Sequence, residues 1–127
     1  MKQKGFTLIE LLAVIVVLGL LAVIAVPSVT SVIKNNEQKL YDAQLELIKD
    51  AAEGYIAEHI FTLKFDGTDV ITLQQLKDEN YVDREIQNPK TKTKFCDTLK
   101  IKIVPVQGTK SYKIEFVSDT IKSEPNC

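Results

Sequence analysis

The sequence predicts an α+β protein in which a long N-terminal helix crosses a membrane with its first half and packs on a small antiparallel sheet with its second half. Three observations support this prediction: an apolar run over residues 11–26, a helical periodicity over residues 40–59, and two alternating segments near the C-terminus. The chain has 127 residues, which is enough for one domain besides the N-terminal segment.

The apolar run is long enough to span a bilayer. Between Phe6 and Val26 the only polar side chains are Thr7 and Glu10. About 20 apolar residues in a helix match the thickness of the hydrocarbon core. Lys2 and Lys4 precede the run. Because basic residues favour the cytoplasmic side, we expect the N-terminus inside the cell and the rest of the chain outside.

Glu10 is an unusual residue for a membrane helix, since a carboxylate there costs roughly 2.5–3.5 kcal/mol on insertion scales. Such a residue normally has a partner. Cleavage after Gly5 would create one, because Phe6 would acquire an α-amine that is largely cationic at neutral pH. This amine would lie one helical turn from Glu10 on the same chain. In a packed array of identical helices, the amine of a neighbouring copy could equally be the partner.

The segment from Lys4 to Leu12, Lys-Gly-Phe-Thr-Leu-Ile-Glu-Leu-Leu, resembles the processing signature of type IV prepilins and pseudopilins. The resemblance implies a type IV pilin-like fold. It also implies that a membrane peptidase cleaves after Gly5 and N-methylates Phe6. Glu10 would then help to register each subunit against a neighbour in a filament. Gly19 and Pro27 fall where such subunits often carry residues that loosen the helix.

The same resemblance implies three regions: a leader over residues 1–5, a transmembrane and polymerisation helix over 6–27, and an extracytoplasmic head over 28–127. The subunit would cross the cytoplasmic (inner) membrane once and then enter an extracellular or cell-envelope filament. Its partners would be copies of itself, other pilins, the prepilin peptidase and methylase, and an assembly platform in the membrane. A DNA or surface ligand is left open.

The favoured function is that of a structural subunit of a type IV pilus-like filament. Three alternatives remain: a minor pilin, a pseudopilin of a type II-like secretion or DNA-uptake (competence) system, and a membrane-tethered binding module that does not polymerise. For the N-terminus itself, a secretory signal peptide and a plain signal anchor are less favoured. The run exceeds the usual 7–15-residue signal core, and neither interpretation explains Glu10.

The apolar stripe between Leu40 and His59 recurs with helical spacing. We therefore predict one helix from about Phe6 to about Ile60, kinked near Pro27 because proline lacks an N–H donor and crowds the preceding turn. His59 falls on the apolar face and is interpreted as a core or boundary residue. The other members of the predicted face are Tyr41, Leu45, Ile48, Ala52, Tyr55 and Ile56.

Shorter elements follow the helix. Thr72 and Gln75 form a capping-box pattern, which predicts a helix from Leu73 to about Glu79. Alternation over Leu99–Ile103 and over Tyr112–Phe116, with a turn at residues 107–110, predicts an antiparallel hairpin. A further strand is expected near Phe61–Phe65 or Thr120–Ile121.

The charge pattern leaves two local interpretations open. The net charge is −1, and loss of Lys2 and Lys4 leaves 14 basic against 17 acidic residues, or −3, which argues against nonspecific DNA binding. Lys90, Lys92 and Lys94 form either an anion or DNA contact patch or, preferably, an exposed loop. Asp66 and Asp69 belong either to a calcium loop or, preferably, to a solvated turn.

Cys96 and Cys127 are the two cysteines. In an extracytoplasmic head a disulfide between them is plausible, and it would resemble the C-terminal disulfide of many pilins; two free thiols are the alternative. The sequence contains no metal-ligand spacing and no constellation typical of a catalytic site, so we expect neither a metal nor a cofactor and no enzymatic activity.

Overall fold

The computed structural model describes residues 4–123 and has the predicted α+β, type IV pilin-like architecture. It divides into two compact units, residues 1–37 and 38–127, and one helix contributes residues to both. The elements in chain order are α1 Leu8–Glu58, β1 Val70–Thr72, α2 Leu73–Asp78, β2 Lys100–Pro105, β3 Tyr112–Phe116 and α3 Ser118–Ser123.

Helix α1 is two residues shorter at each end than predicted, beginning at Leu8 and ending at Glu58. The helix continues through Pro27 without a break. The kink expected at this proline stays a prediction. Because proline has no N–H, one backbone carbonyl in the preceding turn lacks its usual intrahelical hydrogen-bond donor. In membrane helices, neighbouring hydroxyl groups can donate to such a carbonyl.

The sheet has three antiparallel strands in the order β1-β2-β3. The predicted hairpin of β2 and β3 is confirmed, with Ile101 opposite Phe116. Both predicted positions for a further strand were wrong, because residues 61–65 lie in turns and irregular structure and residues 120–121 belong to α3. The third strand is Val70–Thr72, where Ile71 pairs with Ile101. Three residues are too few to show alternation, so this strand is defined by its pairing with β2.

The core lies in the unit of residues 38–127, where the second half of α1 and the sheet bury their apolar faces together. The predicted stripe on α1 is confirmed: Leu45 is partly buried, His59 lies at the boundary of the core, and the other members are buried. On β2, Ile101 and Ile103 are completely buried while Lys100 and Lys102 are exposed. The other buried apolar residues of this core are Ile71, Leu73, Leu76, Val82, Ile86, Phe95 and Leu99.

Helix α2 begins with the capping box that the sequence predicts. The Thr72 hydroxyl accepts a hydrogen bond from the Gln75 N–H, and the Gln75 side chain accepts one from the Thr72 N–H. The helix ends at Asp78, and Glu79 is its C-cap. The cap therefore fixes where α2 turns away from β1, which places Leu73 and Leu76 in the core.

Candidate functional site

The predicted cleavage bond joins two exposed residues outside regular secondary structure. Residues 4–7 precede α1, and Phe6 is 84% exposed. A Cβ added at Gly5 would meet no atom within 4 Å. A peptidase must bind an extended strand of substrate, and this segment is free to adopt one without unfolding a helix. The geometry therefore suits cleavage after Gly5, while the cleavage itself stays a prediction.

Glu10 is bonded to Thr7 at the start of α1. The Thr7 N–H donates to Glu10 Oε2 at 2.9 Å, and the Glu10 N–H donates to Thr7 Oγ1 at 3.4 Å. This is a second capping box, with Thr7 as N-cap and Glu10 three residues later. The sequence analysis missed this role of Thr7, although the Thr-x-x-Glu spacing before an apolar run is a recognised signal for it.

The apolar surface of α1 has no cover within the chain. Every large apolar side chain from Phe6 to Ile33 is at least half exposed. By length and composition, α1 can cross a membrane, and its most apolar window contains no buried residue. A continuous exposed apolar surface of this extent requires lipid or other apolar surfaces around it. This supports membrane anchoring by the first half of the helix.

Both predicted helix-loosening residues, Gly19 and Pro27, lie in this part of α1. Gly19 leaves open space where a Cβ would be. After Pro27, the Ser28 hydroxyl donates to the Ile24 carbonyl at 3.2 Å, and the Thr30 hydroxyl donates to the Val26 carbonyl at 2.9 Å. Such hydroxyl-to-carbonyl bonds compete with the backbone ladder and often accompany bending. The role of Gly19 and Pro27 in helix flexibility stays a prediction.

The turn at residues 66–69 uses its carboxylates internally. Asp66 Oδ1 accepts from the Thr68 N–H at 2.9 Å and from the Thr68 hydroxyl at 2.5 Å, and Asp69 Oδ2 accepts from the Lys64 N–H. The hydrogen bonds from Thr68 lower the pKa of Asp66. Gly67 has φ +86°, as a tight turn requires. Within residues 4–123, no group of three or more potential metal ligands occurs. These contacts favour the solvated turn over the calcium loop.

The lysines of the 90–94 segment also make contacts within the head. Lys90 Nζ lies 4.1 Å from the centre of the Tyr41 ring, and Lys94 Nζ lies 2.7 Å from Glu85 Oε1. A cation over an aromatic face and a surface ion pair both hold a loop to its support. The structure therefore favours the exposed-loop interpretation over an anion or DNA patch.

His59 lies at the boundary of the core, as predicted, but has contacts that the sequence did not indicate. Its ring stacks on Tyr55 with centroids 4.1 Å apart. Its Nδ1 lies 2.9 Å from the Tyr55 carbonyl oxygen, and its Nε2 lies 3.4 Å from Glu79 Oε2. The contact with Glu79 joins residues 20 positions apart, so no local pattern could have shown it.

A second such contact joins a buried lysine to a half-exposed carboxylate. Lys77 Nζ lies 2.6 Å from Asp97 Oδ1, and the two side chains are 5% and 55% exposed.

Cys96, which precedes Asp97 in the chain, is buried. Its predicted partner Cys127 lies outside the described residues, so the predicted disulfide is not tested by the contacts described here.

An exposed segment before α1, an uncovered apolar helix and a small α+β head fit a membrane-anchored protein with a prepilin-type N-terminus. Residues 1–26 match the family described as the prokaryotic N-terminal methylation motif, which is the type IV prepilin signature. No curated protein and no solved structure matches the chain. The matched segment includes the predicted residues Gly5, Phe6, Glu10 and Gly19, and it indicates a structural protein.

Proposed function

We propose that this chain is the precursor of a structural subunit of a type IV pilus-like filament. The peptidase removes residues 1–5 and methylates Phe6. Residues 6–27 anchor the mature subunit in the cytoplasmic membrane with the N-terminus inside, and residues 28–127 form the external head. The subunit then leaves the membrane for an extracellular or cell-envelope filament, in which its N-terminal helix packs against copies of itself and other pilins.

The observation that carries this proposal is the uncovered apolar surface of α1 with Glu10 at its start. Lipid can cover this surface before assembly, and sister helices can cover it afterwards. Transfer then requires no large net exposure of apolar area, since burial is worth about 25 cal/mol per Å² in either setting. The Thr7 N–H satisfies part of the hydrogen-bonding capacity of Glu10, but lipid supplies no positive charge to its carboxylate, whereas a neighbour's α-amine would.

The first test is mass spectrometry of the mature N-terminus in membrane and filament fractions. We expect chains that begin with N-methylated Phe6. A Gly5→Val variant should remain uncleaved in the membrane. A Gly5→Ser variant has a smaller side chain at this position, so its cleavage should be less impaired. Because a Cβ at Gly5 meets no neighbour, loss of cleavage in Gly5→Val would report on the peptidase and not on misfolding. Chains that retain Met1, or that are cut after Ala25, would contradict the proposal.

The location of the processed chain separates the remaining functions. A major pilin is an abundant component of long surface filaments, and a minor pilin is a scarce one. A pseudopilin of a secretion or competence system forms short rods within the envelope. A tethered binding module remains a membrane monomer. Immunogold labelling and quantification of sheared filaments distinguish these outcomes.

We further propose that Cys96 and Cys127 form a disulfide in the exported head. Burial of Cys96 supports this, because a buried position beside the core gives the C-terminal segment a fixed attachment point. The bridge would close a loop of about 30 residues, which is worth about 3–4 kcal/mol in the loop-entropy model. Alkylation before and after reduction tests it: both thiols should react only after reduction, and labelling without reduction would contradict the bridge.

A further inference from the structure

The His59 ring is placed between two oxygen acceptors. A carbonyl oxygen cannot donate, so the 2.9 Å contact with the Tyr55 carbonyl requires a proton on Nδ1. A neutral imidazole has only one N–H, and its Nε2 would then present a lone pair to the Glu79 carboxylate 3.4 Å away. The imidazolium presents an N–H on both sides. The geometry therefore suits the protonated ring better than the neutral one.

The electrostatic surroundings of the ring are negative. His59 follows the last residue of α1, where the helix dipole favours a cation, and the last turn of α1 contains no basic residue. Burial, and then the charge of Glu79, raise the pKa of Tyr55, on which the ring stacks. An interaction with Glu58 raises the pKa of Tyr81 to about 12.

We propose that His59 is a proton-dependent latch that fastens the end of α1 to the C-cap of α2. With the ring protonated, His59 bridges the Tyr55 carbonyl and the Glu79 carboxylate, and the latch is closed. With the ring neutral, one of these two contacts becomes repulsive and the latch opens. His59 is the single histidine of the chain, so the response belongs to one group. The proposal does not depend on cleavage at Gly5 or on filament assembly.

The sign of the pH dependence follows from the two partners. The closed latch requires the protonated ring, so the latch contributes stability on the acidic side and loses it as the pH rises. The contact also requires the ionised form of the Glu79 carboxylate, so strong acid opens the latch again. Maximal closure is therefore expected in weakly acidic solution.

Hydrogen–deuterium exchange of the full-length chain in detergent micelles tests the latch. The reporters are the amides of Leu63 and Tyr81, which donate to the carbonyls of His59 and Leu76 beside the contact. After correction for intrinsic exchange, we expect their protection to be about threefold to tenfold higher at about pH 5.5 than at about pH 8. The variants His59→Gln and Glu79→Gln should lose this difference.

Glu53→Gln is the matched control, since Glu53 is an exposed carboxylate on α1 and should leave the pH response unchanged. Glu79→Gln preserves side-chain size and an exposed position, so the test stands on it even where His59→Gln disturbs the Tyr55 stack. Protection that is independent of pH in the unsubstituted chain would overturn the proposal. So would a pH response that persists in Glu79→Gln.

Discussion

Thr7 and Glu10 satisfy each other's hydrogen bonds at the start of α1, with 2.9 Å between the Thr7 nitrogen and Glu10 Oε2. The Glu10 carboxylate therefore has a partner on its own chain before any processing takes place. Cleavage after Gly5 would place an α-amine next to Thr7, within reach of the same carboxylate. The Thr7 N–H and the α-amine of a neighbouring subunit would then compete for the Glu10 carboxylate.

Glu10→Ala should block assembly without blocking insertion. Removal of the carboxylate makes residues 6–27 more apolar, so membrane insertion and cleavage should persist, whereas the charged contact with a neighbour is lost. We expect incorporation into filaments to fall by about tenfold or more, because about 1.4 kcal/mol already corresponds to a tenfold change in an equilibrium. Immunoblotting of membrane and sheared-filament fractions measures it.

Glu53→Ala is the control for this experiment, since it removes an exposed carboxylate from the same helix within the head. Normal filament content in Glu10→Ala would show that the carboxylate is dispensable for assembly. Loss of the protein from the membrane fraction would show instead that Glu10 acts earlier than assembly.

Thr72→Ala should destabilise the head by about 1 kcal/mol, because it removes the hydroxyl that caps α2. Thr72→Ser retains the hydroxyl and should preserve most of the stability. Urea unfolding of the full-length chain in detergent, followed by the near-ultraviolet signal of its tyrosines, measures the difference. Equal stability of the two variants would mean that the capping box contributes nothing to the head.

Lys77 and Asp97 should respond asymmetrically to substitution. Asp97→Asn leaves a buried ammonium group without its carboxylate, whereas Lys77→Met fills a similar volume and leaves Asp97 in contact with water. We expect Asp97→Asn to lower the free energy of unfolding by about 1–3 kcal/mol, and Lys77→Met to lower it by less. The first value is smaller than for a fully buried ion pair, because Asp97 is partly exposed. The double variant should resemble Lys77→Met. Unfolding of all three in urea tests this order, and a larger loss in Lys77→Met would contradict it.

Thr68→Ala should raise the pKa of Asp66 towards its ordinary value. The hydroxyl and backbone N–H of Thr68 both donate to the carboxylate and so favour its charged form. Since the folded pKa is lowered, the contact stabilises the head at neutral pH, and this contribution is lost as the pH falls below about 4. Carbon-13 NMR of the Asp66 carboxyl group measures the pKa. Thr68→Ser retains the donor and should keep it low.

Elements defined by local patterns were predicted well. The apolar length of α1, the Thr72–Gln75 cap and the alternation around Ile101 and Tyr112 each depend on residues within a few positions of one another. The start of α1 was off by two residues because Thr7 was not recognised as its cap. The further strand was misplaced because Val70–Thr72 carries too little pattern to be detected without its partner strand.

The candidate site divides in the same way. Gly5, Phe6 and Glu10 could be proposed from the sequence, because the prepilin-type signature that this segment resembles lies within a few consecutive residues. The contacts of His59 with Glu79 and of Lys77 with Asp97 each connect residues 20 positions apart. Such pairs form only when the elements that hold them pack together.

The amino-acid sequence by itself determined an apolar helix long enough to span a membrane, the prepilin-type N-terminus and the amphipathic face that builds the core, because hydrophobic periodicity and short motifs are local properties of the chain. Only the tertiary structure decided which strand completes the sheet at Val70–Thr72, which carboxylate meets Lys77, and that the His59 ring lies between two acceptors. These are non-local contacts, and they exist because burial of the shared core brings distant segments to within hydrogen-bonding distance.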